Sequence, residues 1–259
     1  MLARVCGRFT LTTPSYDDLA DALGAAPDPG GSVAYRPRYN IAPTDLSWVL
    51  RNRPPGAARA RVRELVAARW GFVPHDASTK RQFGMPINAR AESVRAWSLF
   101  RGAFATQRCA VPSTGFFEWI KEGKAKHPVW FKPEARELLL FAGLWDDWID
   151  PTTGEALRSF VVITTRANEL VAKVHDRMPV ILEDDSALEA WLGDDPTAAA
   201  TTLRPAGAGV LRAVPVSDRV NSVKNDDPAC LAPPAREPAA PLTLLDVGEA
   251  APRKGRARR

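Results

Sequence analysis

Cys6 lies close to the start of the chain, in the run Cys6-Gly7-Arg8-Phe9. A cysteine exposed as a first residue carries two nucleophiles on adjacent carbons, an α-amine with a pKa of about 8 and a thiol with a pKa of about 8.5. That pair suits an aldehyde: the amine condenses to an imine, and the thiolate then closes a five-membered thiazolidine ring. The chemistry requires residues 1–5 to be gone. From spacing alone, Cys6 reads first as a small buried hydrophobe on a first strand.

Three further clusters could serve such a reaction. In Asn88-Ala89-Arg90-Ala91-Glu92 the polar residues alternate, so an extended backbone would put all three on one face. Asn88 can donate and accept, and Arg90 offers a bidentate fork for phosphate; helix capping by Asn88 or Glu92 beside a surface arginine is the competing reading. Glu118 interrupts the aromatics of Gly115-Phe116-Phe117-Glu118-Trp119, a setting that raises a carboxyl pKa and makes a general acid or base, unless the residue lies on a solvated strand face. His175, in His175-Asp176-Arg177-Met178-Pro179, is a candidate proton shuttle or an ordinary helix-terminal histidine. Trp70 and Trp119 could stack on unpaired bases or pack in the core. His75 and His127 are expected at the surface.

The elements that must position these residues are mostly strands. Alternating or β-branched runs predict strands at 8–11, 46–50, 61–67, 109–112, 116–120, 129–131, 138–142, 160–164, 179–182 and 210–214. Helices are predicted at 16–23, 93–100, 168–175 and 186–192. The sum is an α+β domain with a mixed, curved, barrel-like β-sheet and short flanking helices. Breaks rich in proline and glycine at 27–38 and 53–58 are expected as loops. One domain over 6–232 is expected, with 233–259 as a disordered Pro/Ala-rich basic tail.

With 259 residues, 45% hydrophobic and 25% charged, the chain can bury a full core, which excludes general disorder. No apolar run reaches membrane-helix or signal-peptide length, so a cytoplasmic protein is expected. Three scattered cysteines and three histidines offer neither a disulfide framework nor metal-ligand spacing. The net charge of +5 equals the five cations of Arg253 to Arg259, yet residues 51–108 carry twelve basic side chains against Glu64, Asp76 and Glu92. Such a surplus fits a polyanion-binding face, or a solvated arginine-rich surface.

Taken in order, Cys6 to Phe9, Tyr39-Asn40-Ile41-Ala42-Pro43-Thr44, Arg69 to Pro74, Asn88 to Glu92, Arg108 to Pro112, Gly115 to Trp119, His175 to Pro179 and Val220-Asn221 resemble the SOS response-associated peptidase (SRAP) family. That family shields abasic sites in single-stranded DNA by a covalent crosslink. The resemblance implies a mixed α/β barrel-like fold with a basic channel for single-stranded DNA. It implies that Cys6 forms the thiazolidine with the ring-opened abasic sugar, that Asn88 bonds near the linkage and that Arg90 holds the adjacent phosphate. Glu118 is implied in proton transfer during ring opening, in crosslink reversal and in removing residues ahead of the cysteine, with His175 assisting ring opening and imine formation. Arg8, Asn40, Pro43, Trp70 and Trp119 fall at positions lining the DNA groove.

Family members usually begin Met-Cys, whereas five residues precede Cys6 here. An amide nitrogen cannot form an imine, so residues 1–5 are expected to be a misplaced start or a segment removed by autoproteolysis after Val5; a protein that binds lesions without crosslinking is the third case. Two other functions compete: a thiol peptidase using Cys6, His175 and Glu118, and a noncovalent single-strand binder. The expected partner is single-stranded DNA with abasic sites, bound by a monomer without metal or cofactor.

Overall fold

A computed structural model describes residues 6–26, 33–52, 62–123 and 125–235. The expected extension at 1–5, the tail beyond 235 and most of the two Pro/Gly-rich breaks lie outside the described residues. In chain order the first elements are β1 (Phe9–Leu11), α1 (Tyr16–Leu23), β2 (Arg38–Ile41), β3 (Leu46–Asn52), β4 (Arg63–Trp70), β5 (Asn88–Arg90), α2 (Ser98–Thr106), β6 (Arg108–Ser113) and β7 (Gly115–Glu122). There follow β8 (Ala125–Pro133), β9 (Leu139–Ile149), β10 (Ala156–Arg166), α3 (Glu169–Ala172), β11 (Arg177–Pro179), α4 (Asp185–Leu192), α5 (Pro196–Ala200) and β12 (Leu211–Pro215). Two 3-10 turns, Asp218–Asn221 and Pro228–Leu231, complete the described chain.

The strands form two sheets. One runs β12-β8-β7-β1-β2; the other runs β11-β10-β4-β3-β6-β9, and β9 pairs back onto β10 from Gly143↔Val162 to Ile149↔Ala156. That last pairing closes β10, β4, β3, β6 and β9 into a ring, the expected barrel-like curvature, which removes the free sheet edges of those five strands. β10 is the axis of the second sheet. Its stretch Phe160-Val-Val-Ile-Thr-Thr is buried throughout, as a strand covered on both faces must be. It also takes β5 in parallel, Val162↔Asn88 to Thr164↔Arg90, and β11 in antiparallel.

Local chemistry explains the helix ends. Ser15 accepts the Asp18 N–H, and Gly24, at φ 57°, ends α1 in the left-handed conformation, so the helix spans the expected residues. The helix expected from residue 93 instead begins at Ser98, because the chain after Arg90 winds as turns that leave only Val94 in the core. Leu99, Phe100, Ala103 and Phe104 then provide the i, i+1, i+4, i+5 stripe that faces inward. The helix expected over 168–175 shortens to α3, capped by Asn168.

One core of aromatic and aliphatic side chains fills the molecule between the sheets. A smaller cluster of Phe117, Val216, Val220 and Cys230 seats the segment of the two 3-10 turns on the outer side of β7. That segment is the element through which the carboxyl end of the domain reaches the residues near Cys6.

Candidate active site

The antiparallel pairing Phe9↔Phe116, with the Phe117 N–H donated to Arg8 O at 3.0 Å, carries the residues before β1 alongside Glu118. The Cys6 N–H accordingly donates to Glu118 Oε1 at 2.7 Å. Both side chains are buried, and Cys6 has φ 43°, a left-handed conformation that costs a non-glycine residue about 1–3 kcal/mol. Burial pushes the Glu118 carboxyl up to about 8; the Cys6 N–H opposes the shift and the charge of Asp176 adds to it. Burial, then the charge of Glu118, likewise drives the Cys6 thiol well above its ordinary value. At neutral pH Glu118 is therefore a protonated acid held against the Cys6 nitrogen.

His175 stands at the same end of β7, since Asp176 acts on Glu118 and Lys121 acts on His175. Its Nδ1 lies 2.9 Å from Asp176 Oδ1 and 3.1 Å from the Arg177 N–H. A peptide N–H can only donate, so toward Arg177 Nδ1 acts as the acceptor of a neutral ring, whereas a protonated Nδ1 would pair with the Asp176 carboxylate. Burial lowers the His175 pKa, outweighing the pull of Asp176, and favours this neutral ring.

Asn88 and Arg90 share the outward face of β5, Asn88 half-buried and Arg90 exposed, with Ala89 turned inward. Glu92 leaves the expected alternation because the strand ends at Arg90. It is clamped instead by Arg177, whose Nη1 and Nη2 donate at 3.1 and 2.9 Å while Nη2 also donates to Thr164 O at 2.6 Å. Thr164 is the ladder partner of Arg90, so Arg177 ties the histidine segment to the Asn88–Arg90 strand.

On the other side of Cys6, the Arg8 guanidinium lies 5.8 Å from the Trp119 ring and donates to Asn40 Oδ1 at 2.7 Å and Val220 O at 2.8 Å. Trp119 Nε1–H donates to Asn221 Oδ1 at 2.6 Å, which sets the angle of the half-buried indole. The expectation that Asn40 lines a groove is corrected: it is buried, and its Nδ2 donates to Val220 O, Ser222 O and Asn225 O. Trp70 is corrected too. It is fully buried in the core, edge-on to Phe9 and stacked on Phe160, with Nε1–H on Ile87 O at 2.8 Å. Its work is positional: that bond anchors the residue before Asn88, and its backbone O and N–H hold Thr44 and Asp45 beside the half-buried Pro43.

The basic surplus of residues 51–108 is likewise divided. Arg51 is buried on Glu64 and against the Trp145 ring, Arg63 pairs with Glu189, and Arg108 donates to Phe104 O, Ala105 O, Trp191 O and Gly193 O. Lys80, Arg81, Arg90, Arg95 and Arg101 are the exposed cations of this stretch among the described residues. Sequence reasoning missed Arg177 and Asp226. Asp226 accepts the Tyr39 and Asn40 N–H groups at 2.7 and 3.0 Å and the guanidiniums of Arg36 and Arg38, and so fixes β2 under Arg8. The adjacent Asn221 lay within the quoted Val220-Asn221 pair, but Asp226 sits in an aperiodic polar stretch that gives no pattern to read.

The family model of the SOS response associated peptidases (SRAP) matches residues 5–223. The chain belongs to that family. Among SRAP relatives, the Abasic site processing protein YoqW of Bacillus subtilis is 36% identical over 229 residues, covering 86% of this chain and 97% of its own. The Abasic site processing protein HMCES of Gallus gallus is 37% identical over 227 residues, covering 77% of this chain and 67% of its own. A crystal structure of a protein from Bacteroides thetaiotaomicron shares the SRAP chain's fold with a TM-score of 0.75 at 24% identity, over 88% of this chain and 99% of that one. A second, from Bordetella bronchiseptica, aligns with a TM-score of 0.67 at 25% identity, over 82% and 100%. The described residues of this SRAP chain contain no cluster of three potential metal ligands and no helix long and apolar enough to cross a membrane.

Proposed function

We propose that the protein recognises abasic sites in single-stranded DNA and captures them covalently through Cys6. The observation that carries the reading is the 2.7 Å contact between the Cys6 nitrogen and a carboxyl kept neutral to about pH 8. The names of its relatives give the substrate class.

In this reading the free α-amine of Cys6 adds to the aldehyde carbon of the ring-opened sugar. Glu118 gives its proton to the carbinolamine hydroxyl, which leaves as water, and the Glu118 carboxylate then takes the remaining nitrogen proton, so the neutral imine forms. The Cys6 sulfur then bonds to the imine carbon while its proton passes to the nitrogen, closing the thiazolidine, so the adduct weighs protein plus DNA less one water. His175, with Nε2–H presented, assists opening of the sugar hemiacetal. Arg90 takes the adjacent phosphate, Asn88 bonds beside the linkage, and Arg8, Trp119 and Pro43 contact the strand.

Val5 precedes Cys6 in the sequence, so the amine must first be released. Attack of the Cys6 sulfur on the Val5 carbonyl breaks the Val5–Cys6 C–N bond, with Glu118 protonating the departing nitrogen and taking up the thiol proton in its place, and gives a thioester that water hydrolyses to a free thiol and a carboxylic acid. The left-handed backbone of Cys6 favours this step, because cleavage abolishes the φ constraint. It is a single self-cleavage, which accounts for the peptidase name without turnover of other peptides.

Denaturing intact-mass spectrometry after mixing with single-stranded DNA bearing one abasic site tests the reading. The expected species begins at Cys6 and has gained the DNA mass less one water, and Cys6→Ala abolishes it. An adduct that survives Cys6→Ala refutes the assigned nucleophile. No adduct from a protein engineered to start Met-Cys6 favours the noncovalent binder.

A further inference from the structure

Trp97 is 51% exposed, an unusual place for an indole that nothing among the described residues covers. Its ring is nonetheless fixed, packed edge-on at 5.0 Å to the buried Phe100, which in turn packs edge-on against Phe72 at 5.5 Å. The rest of the ring faces solvent without the entropy of a free side chain.

Its place in the chain links it to Arg90. The Val94 N–H donates to Arg90 O, the Trp97 N–H to Ser93 O and the Arg101 N–H to Trp97 O, so successive turns wind the chain compactly from Arg90 to the start of α2. Trp97 thus stands at the far end of one compact run of turns that begins at Arg90. Trp97 is the N-cap residue of α2, and Arg101 lies in the first turn of that helix, its N–H bonded to Trp97 O. Arg90, Arg95 and Arg101 are exposed, and among the described residues none has an ion-pair partner within 4 Å; Glu92, the one acid between residues 80 and 108, is held by Arg177. An exposed, rigid indole flanked by unpaired guanidiniums matches a strand of unstacked bases joined by phosphates better than it matches an apolar protein partner.

We propose that Trp97 is a base-stacking platform, with Arg101 as its phosphate contact, extending the single-strand track from Arg90 away from the lesion. This rests on the single-strand reading above and adds a site to it. The platform acts on nucleotides flanking the lesion, so it contributes to affinity for long strands and not to the covalent step.

The test compares fluorescence-anisotropy affinities for strands carrying a non-aldehyde abasic analogue, either short (two flanking nucleotides on each side) or long (eight). Trp97→Ala is expected to weaken long-strand binding about tenfold and leave short-strand binding unchanged, with Trp97→Phe restoring most of the loss. Arg101→Ala is expected to flatten the salt dependence on the long strand by about one phosphate contact. Adduct yield on the short strand is expected to stay at the wild-type level in all three variants. Equal losses on short and long strands would place Trp97 in the fold rather than on the track, and unchanged long-strand affinity in Trp97→Ala overturns the platform while lesion capture stands. A wild-type protein that binds neither strand removes the single-strand reading and this one together.

Discussion

Glu118 Oε1 accepts the backbone N–H of Cys6 at 2.7 Å across 112 residues of sequence, and the contact is enclosed by the core. Neither residue is remarkable alone. The antiparallel pairing of β1 with β7 makes one the acid of the other's nitrogen.

The raised Glu118 pKa makes a stability prediction whose sign differs from that of a salt-bridged carboxylate. The folded chain resists ionising Glu118 up to about pH 8, whereas an unfolded chain ionises it near 4.5. Below 4.5 both states hold the proton; as pH rises from there the unfolded state loses it first, so stability falls until pH passes about 8 and then levels. Glu118→Gln is expected to match wild type in stability at pH 4 and to exceed it at pH 8 by up to a few kcal/mol, read as a higher melting temperature. Thermal melts from pH 4 to 9 check this; parallel curves would show that the carboxyl is not held neutral.

Asp226 behaves in the opposite sense. Burial works to raise its pKa, but the Tyr39 N–H, Arg38 and Arg36 together outweigh it and hold the carboxylate below its ordinary range. Its contribution is complete above the unfolded value of 3.8 and is lost as pH falls through the lower folded value. Asp226→Ala leaves the Tyr39 and Asn40 N–H groups without their acceptor and takes one carboxylate from Arg36 and Arg38, Arg38 keeping Asp45, and is expected to cost about 2–4 kcal/mol at pH 7. Urea denaturation at pH 7 and pH 2.5 should show the gap between variant and wild type narrowing in acid.

Trp70 and Trp119 should separate stability from binding. Trp70→Ala removes a fully buried indole and is expected to destabilise the fold by about 3–5 kcal/mol. Trp119→Ala, at a half-buried position, should cost far less stability and about tenfold or more in single-strand affinity. Denaturant melts read beside strand titrations distinguish the two, and a stable Trp70→Ala that loses only DNA affinity would contradict the burial described above.

Gly115 opens β7 at φ 153°, where a Cβ would collide with Trp130 Nε1 and come within 2.7 Å of Phe131 O. Gly115→Ala must displace backbone as well as side chain, so a loss of about 2–4 kcal/mol is expected, with the β1–β7 register disturbed and adduct yield falling alongside the melting temperature. Adduct formation at the wild-type rate in a variant of wild-type stability would show that this strand tolerates the added methyl.

Much of the fold was legible because local rules sufficed for it. Runs such as Phe160 to Thr164 are β-branched and apolar, and Thr13-Pro14-Ser15 is a helix start, so these elements lie where periodicity and capping predict. Besides the two 3-10 turns, two strands and one helix escaped. β2 is Arg-Tyr-Asn-Ile and β5 is three residues long, too polar or too short for a period to register, and both exist because neighbouring strands and the Asp226 carboxylate satisfy their backbones. α5 is a single Pro-Thr-Ala-Ala-Ala turn held by Asp195.

The candidate site divides the same way. From residue type and order alone come Cys6, Asn88, Arg90, Glu118 and His175 as candidates for the chemistry, the aldehyde reaction proposed for an amino-terminal cysteine, and membership of one family. Tertiary structure decided which polar groups face each other. It brought Glu118 to Cys6, bound His175 to Arg90 through Arg177 and Thr164, withdrew Trp70 and Asn40 into the interior, and turned Arg51 and Arg108 from charge surplus into internal ties. The reason is physical: intrinsic reactivity belongs to the side chain and is written in the sequence, whereas pKa, tautomer and accessibility depend on burial and on partners that only strand register and packing bring within hydrogen-bond distance.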